Sequence, residues 1–153
     1  MRRKTILIIA VVVLVVIGAV FGVLNIHAPG KLSIWQKIEV EHAYQKQFQA
    51  DWGLWEDETD ELLYSHARYY GSENGYLILC KVSNTTWGAG FQQVVGKYKF
   101  IHEGGVHFQL FVYKDGTLLQ LKDAYEQGLV SEESVVAAWT LHREYPGCKS
   151  LKK

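Results

Sequence analysis

The segment from Thr5 to Ile26 constrains this chain more than any other feature, because it contains no ionisable side chain. Within it, every residue from Ile6 to Leu24 is apolar or glycine. A helix that crosses the roughly 30 Å hydrocarbon core of a bilayer needs about 20 such residues, since each residue adds 1.5 Å and the helix satisfies its own backbone polar groups. The sequence therefore predicts a transmembrane anchor over residues 5–26.

The residues before this run predict its orientation. Arg2 to Lys4 are all basic, and by the positive-inside rule residues 1–4 form a cytoplasmic flank. The C-terminal part then lies outside the cytoplasm. A cleaved signal peptide is the alternative, but its apolar core is usually about 7–15 residues long and ends in a small-x-small site. The present run is longer, and neither Ala19–Gly22 nor Asn25–Ala28 is a good site, so the sequence favours a retained signal anchor.

Two glycines lie on one side of the predicted span. Gly18 and Gly22 form a G-x-x-x-G pattern, which lets two helix backbones approach closely. The pair is a candidate membrane dimer face. The alternative is that these glycines have no special role, because glycine is common in membrane helices.

Composition limits what the rest of the chain can do. The 153 residues include 16 Lys and Arg against 16 Asp and Glu, and three of the basic residues precede the apolar run. The external part is therefore slightly acidic, which argues against nucleic acid as a partner. Two cysteines exclude a disulfide-dense mini-protein and a multi-cysteine zinc module. A hydrophobic content of 48% excludes general disorder.

A juxtamembrane helix is predicted within residues 27–50. Ser33 is a good N-cap, and apolar residues recur after it near a 3.6-residue period. This stripe comprises Ile34, Ile38, Ala43, Tyr44 and Phe48.

Residues 51–153 predict an extracytoplasmic domain with strands followed by helices. Alternating and continuous apolar runs separated by turn residues indicate an antiparallel β-meander of four to five strands. A C-terminal helix pair is predicted over 121–145, joined at Gly128, with Ser131 as the cap of the second helix and Lys149 to Lys153 as a basic tail. The predicted fold class is α+β: an N-terminal transmembrane helix, a second helix, the meander and the helix pair.

No catalytic residue, cofactor site or metal site is predicted. His102 and His107 are five residues apart with two glycines between them, whereas a helical zinc motif needs histidines four apart. Strand parity places His102 on the core side and His107 on the opposite face. The acidic run Glu56–Glu61 lacks the spacing of a calcium loop and is interpreted as a solvated loop. No serine lies in a Gly-x-Ser-x-Gly elbow.

Five residues remain as candidates for binding or cross-linking. Trp52, Trp55 and Trp87 lie in or beside loops and form a candidate binding surface, although loop tryptophans also close the edge of small cores. Cys80 and Cys148 are candidates for a disulfide outside the cytoplasm. The alternative for Cys80 is an inert buried thiol, because it lies in an apolar strand.

The helix pair resembles a known bacterial module. Gly128 to Glu133, preceded by Leu121 and Tyr125, is similar to the SHOCT short C-terminal domain, which consists of a small helix, a turn and a second helix. The resemblance implies self-association or partner binding. The chain departs from that family after Val135.

A broader resemblance covers about 70 residues. It links the chain to uncharacterised small envelope proteins of Gram-positive bacteria, and it implies a shared fold and an extracytoplasmic location without a named activity. The segments that carry it are Arg68–Gly71, Asn74–Gly75, Tyr113–Gly116 and Ala124–Val130.

These features together predict a single-pass cell-membrane protein with a cytoplasmic N-terminus. The expected function is non-enzymatic, as a binding or self-association domain of the cell envelope. Expected partners are the membrane and either another envelope protein or a second copy. The alternative is a small cell-surface hydrolase, which needs a histidine and a carboxylate within hydrogen-bond reach in a cleft.

Overall fold

The computed structural model describes residues 2–26, 30–49, 54–55, 65–84, 91–103, 106–145 and 147–152. The chain forms two compact units, Met1–Ile38 and Glu39–Lys153. The helices are α1 (Arg2–Asn25), α2 (Ile34–Phe48), α3 (Leu121–Glu126) and α4 (Glu132–His142). The strands are β1 (Leu54–Trp55), β2 (Ser65–Glu73), β3 (Tyr76–Asn84), β4 (Phe91–Val95), β5 (Tyr98–His102), β6 (Val106–Lys114), β7 (Thr117–Gln120) and β8 (Cys148–Lys152).

Helix α1 contains the apolar run. Its residues Lys4–Asn25 are long and apolar enough to cross a membrane, and none of that window is buried. Large apolar side chains are exposed along its length, from Ile6 to Val23. This is the length and composition that a membrane span or a signal sequence requires.

The start of α2 confirms the predicted cap. The backbone N–H of Gln36 donates to Ser33 Oγ at 3.1 Å, and the backbone N–H of Ser33 donates to Gln36 Oε1 at 2.9 Å. This reciprocal pair is a capping box, which satisfies two backbone donors at the helix start.

The predicted apolar stripe of α2 is only partly correct. Ala43 and Tyr44 are buried as expected, and Val40 is buried with them although it was not in the stripe. Ile34 and Ile38 are instead exposed. Phe48, the last residue of the stripe, is also 40% exposed, although its ring packs against Tyr44 and Phe111.

A five-stranded sheet in the order β1-β2-β3-β6-β7 forms the centre of the larger unit. All its neighbours are antiparallel except β1, which pairs with β2 in parallel over two residues. Strand β3 lies between β2 and β6, and its residues Leu77 to Val82 are all buried. This confirms the central strand predicted from the nearly continuous apolar run at 76–82.

The remaining strands form a second sheet rather than a continuation of the meander. Strands β4, β5 and β8 pair in the order β4-β5-β8, so the described residues hold eight strands in two sheets. Strand β8 lies in the segment that the sequence predicted as a basic tail. A turn at Gly96 and Lys97 separates β4 from β5. In β4, Val95 is fully buried and Val94 is only partly buried. The α+β class is confirmed.

The C-terminal helix pair is confirmed with small changes of boundary. Gly128 has φ +71 after α3, as a helix-terminating glycine requires, and Ser131 Oγ accepts from the backbone N–H of Ser134 at 3.3 Å. Val135 and Ala138 are fully buried in the core that the two sheets share. Trp139 is half-buried and packs against this core.

The two faces of the central sheet are covered by different elements. On one face, the rings of Tyr44 and Phe48 pack against Phe111 at 6.1 and 5.6 Å, and Gln47 Nε2 donates to the Leu118 carbonyl at 3.2 Å. The other face packs against α3, α4 and the second sheet. The residues of this second face include Tyr70, Ile78, Cys80, Val82, Phe108, Leu110 and Val112.

Candidate functional site

Polar side chains gather on the second face of the central sheet, beneath α4 and β8. We call this group the buried polar cluster. It comprises Arg68, Tyr70, Cys80, His102, His142, Tyr145 and Cys148.

Strand β2 supplies two members of the cluster. Arg68 and Tyr70 are two residues apart, so strand alternation places both on the face that carries Cys80, the residue with which Arg68 pairs. Both side chains are buried there. The register then shifts between Tyr69 and Gly71, a β-bulge in which Tyr70 is the extra residue, so the alternation of β2 changes after Tyr70.

His142 is the centre of the hydrogen-bond network. Its Nε2 lies 3.0 Å from the Ile101 carbonyl oxygen, and its Nδ1 lies 2.9 Å from the Tyr70 hydroxyl. Because a carbonyl only accepts, Nε2 carries the proton, and Nδ1 accepts from the Tyr70 O–H. Burial lowers the pKa of His142 to about 4, so the imidazole is neutral at physiological pH.

Tyr70 is held in its protonated form. Burial is the main cause that raises the pKa of its phenol well above the ordinary value of 10.0, and the nearby thiols of Cys80 and Cys148 act in the same direction. The positive charge of Arg68 opposes this shift. Tyr70 is thus a buried hydrogen-bond donor and not a proton-transfer group at neutral pH.

Arg68 brings a positive charge into the interior. Its side chain is 5% exposed, its Nη1 donates to Cys148 Sγ at 3.3 Å, and its guanidinium carbon lies 3.7 Å from the centroid of the Tyr145 ring. Contacts with a soft sulfur and with the face of an aromatic ring both stabilise a guanidinium. Through them Arg68 joins β2 to β8 and to the segment after α4.

Of the two hairpin histidines, His102 is buried as the strand parity predicted, and the opposite face predicted for His107 stays a prediction. His102 is buried, and its Nδ1 donates to the Glu103 carbonyl at 2.9 Å, while burial lowers its pKa below the ordinary value. The ring of His107 packs edge-on against Phe91 at 4.7 Å. Within the described residues no group of three or more His, Cys, Asp and Glu could hold a metal ion.

The geometry of the cluster favours a structural role over catalysis. In the described part of the chain, the hydrogen bonds of His142 and His102 go to a hydroxyl and to backbone carbonyls, not to a carboxylate. Arg68, Tyr70 and both cysteines are almost wholly buried, so a substrate has no direct route to them. A satisfied network of this kind rigidifies a core and specifies one packing arrangement.

The predicted binding and dimer residues lie away from the cluster. Trp52 and Trp87 fall outside the described residues, and Trp55 lies in β1, which pairs with β2. Gly18 and Gly22 lie on α1 with open space around both of their Cα positions. The binding surface and the dimer face stay predictions.

The two cysteines lie in the same region of the core. Both are present as buried thiols, and both act on the Tyr70 phenol. Cys80 and Cys148 are 68 positions apart in the sequence, and the fold brings both into the buried polar cluster. Their pairing as a disulfide stays a prediction.

Sequence reasoning missed Arg68, Tyr70 and His142 as a group. Arg68 and Tyr70 share a strand face by alternation, but alternation does not show that a charged residue is buried. The partners of His142 on β2 and β5 depend on tertiary packing.

No family model, no curated protein and no solved structure matches this chain. The features of the chain that bear on its function are the exposed apolar helix, the buried polar cluster and the sequence patterns.

Proposed function

We propose that this protein is a single-pass membrane protein whose α1 is retained as an anchor. Its α+β domain lies outside the cytoplasm and acts without catalysis, by binding another envelope protein or a second copy of itself. The observation that carries the anchor is the exposure of apolar side chains along all of α1, with none of Lys4–Asn25 buried. Such a surface is stable in hydrocarbon and unfavourable in water.

The basic flank supports the proposed orientation. Arg2, Arg3 and Lys4 precede the span, and basic residues are retained on the cytoplasmic side. The resemblance of the external segments to small Gram-positive envelope proteins agrees with a C-terminal domain on the outer side.

The partners of the buried histidines support a binding role. Burial lowers the pKa of His142 to about 4, and His102 and His142 are engaged with a hydroxyl and with backbone carbonyls rather than with a carboxylate. The helix pair at 121–145, with its SHOCT-like pattern, is the part of the domain whose resemblance implies association.

Topology and anchoring are tested on the full chain in membranes. A reporter that is active only outside the cytoplasm is fused after Lys153, and the intact mass of the membrane-extracted protein is measured. We expect activity, retention after alkaline extraction and an uncleaved N-terminus. Replacing Arg2, Arg3 and Lys4 by glutamine should weaken the activity. A reporter that is present in full length but inactive reverses the topology, and a mass that lacks residues 1–26 shows a cleaved signal peptide.

Self-association is tested by energy transfer between two labelled copies in the membrane. Gly18→Ile and Gly22→Ile should lower the transfer, because a large side chain prevents close approach of two helices. Ala19→Ile, which adds the same side chain one position along, is the matched control. Equal transfer in all variants places association in the external domain or excludes it.

A further inference from the structure

The first turns of α2 expose three large apolar side chains. Ile34 is 49% exposed, Trp35 37% and Ile38 48%. They lie within about 100° of arc on one side of the helix, since successive residues are 100° apart and Ile38 follows Ile34 by one turn. We call these three residues the α2 apolar patch. A contiguous patch of this kind marks a surface that is covered in the working protein.

The patch is in contact with the apolar helix. Within the unit Met1–Ile38, the rings of Trp35 and Phe21 lie 5.9 Å apart between centroids. Phe21 precedes Asn25, the last residue of α1, by four residues, which is about 6 Å along the helix axis. Trp35 therefore lies beside the last turn of the apolar run.

We propose that the α2 apolar patch lies in the boundary between headgroups and acyl chains of the membrane that α1 crosses. This rests on the membrane anchoring proposed above. Residues Lys4–Asn25 span about 33 Å as a helix, close to the thickness of the hydrocarbon core. The level of Phe21, and with it Trp35, then falls at the edge of that core.

Lipid is the occupant because the patch continues the lipid-facing surface of α1 through the Phe21–Trp35 contact. Tryptophan is enriched at this depth, where its ring is in an apolar layer and its N–H in a polar one. Placing the patch at this depth also removes the side chains of Ile34 and Ile38 from water, which is favourable for apolar groups.

Depth-dependent fluorescence quenching tests the proposal on the full chain. The protein is reconstituted in vesicles of phosphatidylcholine and phosphatidylglycerol, with phosphatidylcholine brominated at acyl positions 6 and 7 or 11 and 12. Subtracting the emission of Trp35→Phe from that of the native chain isolates Trp35 among the five tryptophans. Trp139→Phe isolates Trp139, in the unit Glu39–Lys153, as the matched control. Circular dichroism is used to check that both variants keep the helical content of the native chain.

We expect the shallow bromines to quench at least half of the Trp35 emission and the deep bromines to quench clearly less of it. The Trp139 emission should change by less than a tenth. Trp35 emission that bromines leave unquenched, in vesicles that retain the protein after an alkaline wash, overturns the proposal while the anchor stands. If iodide also fails to quench it, a second copy covers the patch, and if iodide quenches it, the patch faces water. Loss of the protein in the wash overturns the anchor and this proposal together.

Discussion

His142 is a titratable residue that the fold keeps uncharged. Its side chain is fully buried, and its two ring nitrogens are engaged by Tyr70 and by the Ile101 carbonyl. A charged imidazolium could not accept from Tyr70, and its desolvation in the core is unfavourable. The folded state therefore favours the neutral form, which lowers the pKa to about 4 from the ordinary value of 6.5.

Acid should destabilise the domain through His142. Between the folded pKa of about 4 and the ordinary value of 6.5, the unfolded chain binds a proton that the folded chain excludes. Stability is therefore fully present above 6.5 and decreases as pH falls towards 4, by up to about 3 kcal/mol. Burial also lowers the pKa values of His102 and His107, which adds to the same trend.

Urea unfolding of the detergent-solubilised chain at pH 7 and pH 5 measures this dependence. His142→Phe should lose the largest share of it and should also be less stable at pH 7 by about 1–3 kcal/mol, because the Tyr70 hydroxyl and the Ile101 carbonyl lose their partner. His42→Gln, at an exposed position of α2, should keep the native pH dependence. An unchanged slope in His142→Phe would contradict the assignment.

The two cysteines should be unreactive until the domain unfolds. Cys80 is 0% exposed and Cys148 is 4% exposed, and a thiol must reach solvent to be alkylated. We expect a maleimide to modify neither residue in the native chain and both in urea. Leu151→Cys, at a position that is 55% exposed, should add one site that reacts at once in the native state. Modification in urea only after a reductant is added would show that the two cysteines form a disulfide.

The residues that sequence reasoning placed correctly are those whose position depends on local periodicity. Strand parity placed His102 on the buried side, and the apolar run placed Cys80 in the core. Arg68 was beyond this reasoning, because a buried guanidinium depends on a ring and a sulfur supplied by residues 77 and 80 positions away. Local pattern carries no information on such partners.

At the scale of elements, the β4–β5 hairpin shows why boundaries were harder to predict than element types. The turn at Gly96 separates two short strands that alternation alone joins into one. Residues Lys97 and Tyr98 then fix the hairpin to α4, since Lys97 pairs with Glu132 and the Tyr98 hydroxyl donates to the same carboxylate at 2.8 Å. These contacts lower the pKa of Glu132. They join residues that are more than 30 positions apart, so the local sequence pattern does not predict them.

Strand β8 was missed for a related reason. Its residues Cys148 to Lys152 include two lysines and only one fully buried side chain, so no clear alternation marks it as a strand. Pairing with β5 supplies its backbone hydrogen bonds. The paired residues are 46 positions apart at His102 and Cys148 and 54 apart at Tyr98 and Lys152, so local pattern does not show the pairing. The helix pair was predictable because its caps, Ser131 and Gly128, are local signals.

Gly96 should tolerate no side chain, because two effects coincide there. Its φ of +55 is unfavourable for an L residue, and a Cβ would lie 2.8 Å from Tyr125 Cε1, closer than two carbons pack. We expect Gly96→Ala to reduce the free energy of unfolding by about 2–4 kcal/mol through backbone strain and overpacking against α3.

Gly116→Ala is the matched control for that substitution. Gly116 also has a positive φ, +83, but a Cβ there meets nothing within 4 Å. The decrease in the free energy of unfolding of Gly116→Ala should therefore reflect backbone strain alone, about 1 kcal/mol. Equal losses in the two variants, measured by urea unfolding, would show that the contact between the hairpin and α3 is not tight.

At the scale of the whole molecule, the larger unit is built in layers around the central sheet. Residues of α2 from Val40 onward cover one face, and α3, α4 and the second sheet cover the other. The sequence predicted a juxtamembrane helix within residues 27–50 and a domain over 51–153. In the structure the larger unit begins at Glu39, and Val40, Ala43 and Tyr44 of α2 are buried in it.

The folded domain should accordingly begin before α2. A fragment from Lys31 keeps the Ser33 cap and the aromatic contacts of Tyr44 and Phe48 with Phe111, and about 120 residues suffice to bury a core. We expect it to be soluble and to unfold in one cooperative step in urea. A fragment from Gln49 exposes the sheet face that Tyr44 covers, so its transition should fall to lower urea and broaden, with increased binding of an apolar dye. Equal midpoints for the two fragments would show that α2 adds nothing to the domain, and a disordered Lys31 fragment would show that folding requires α1.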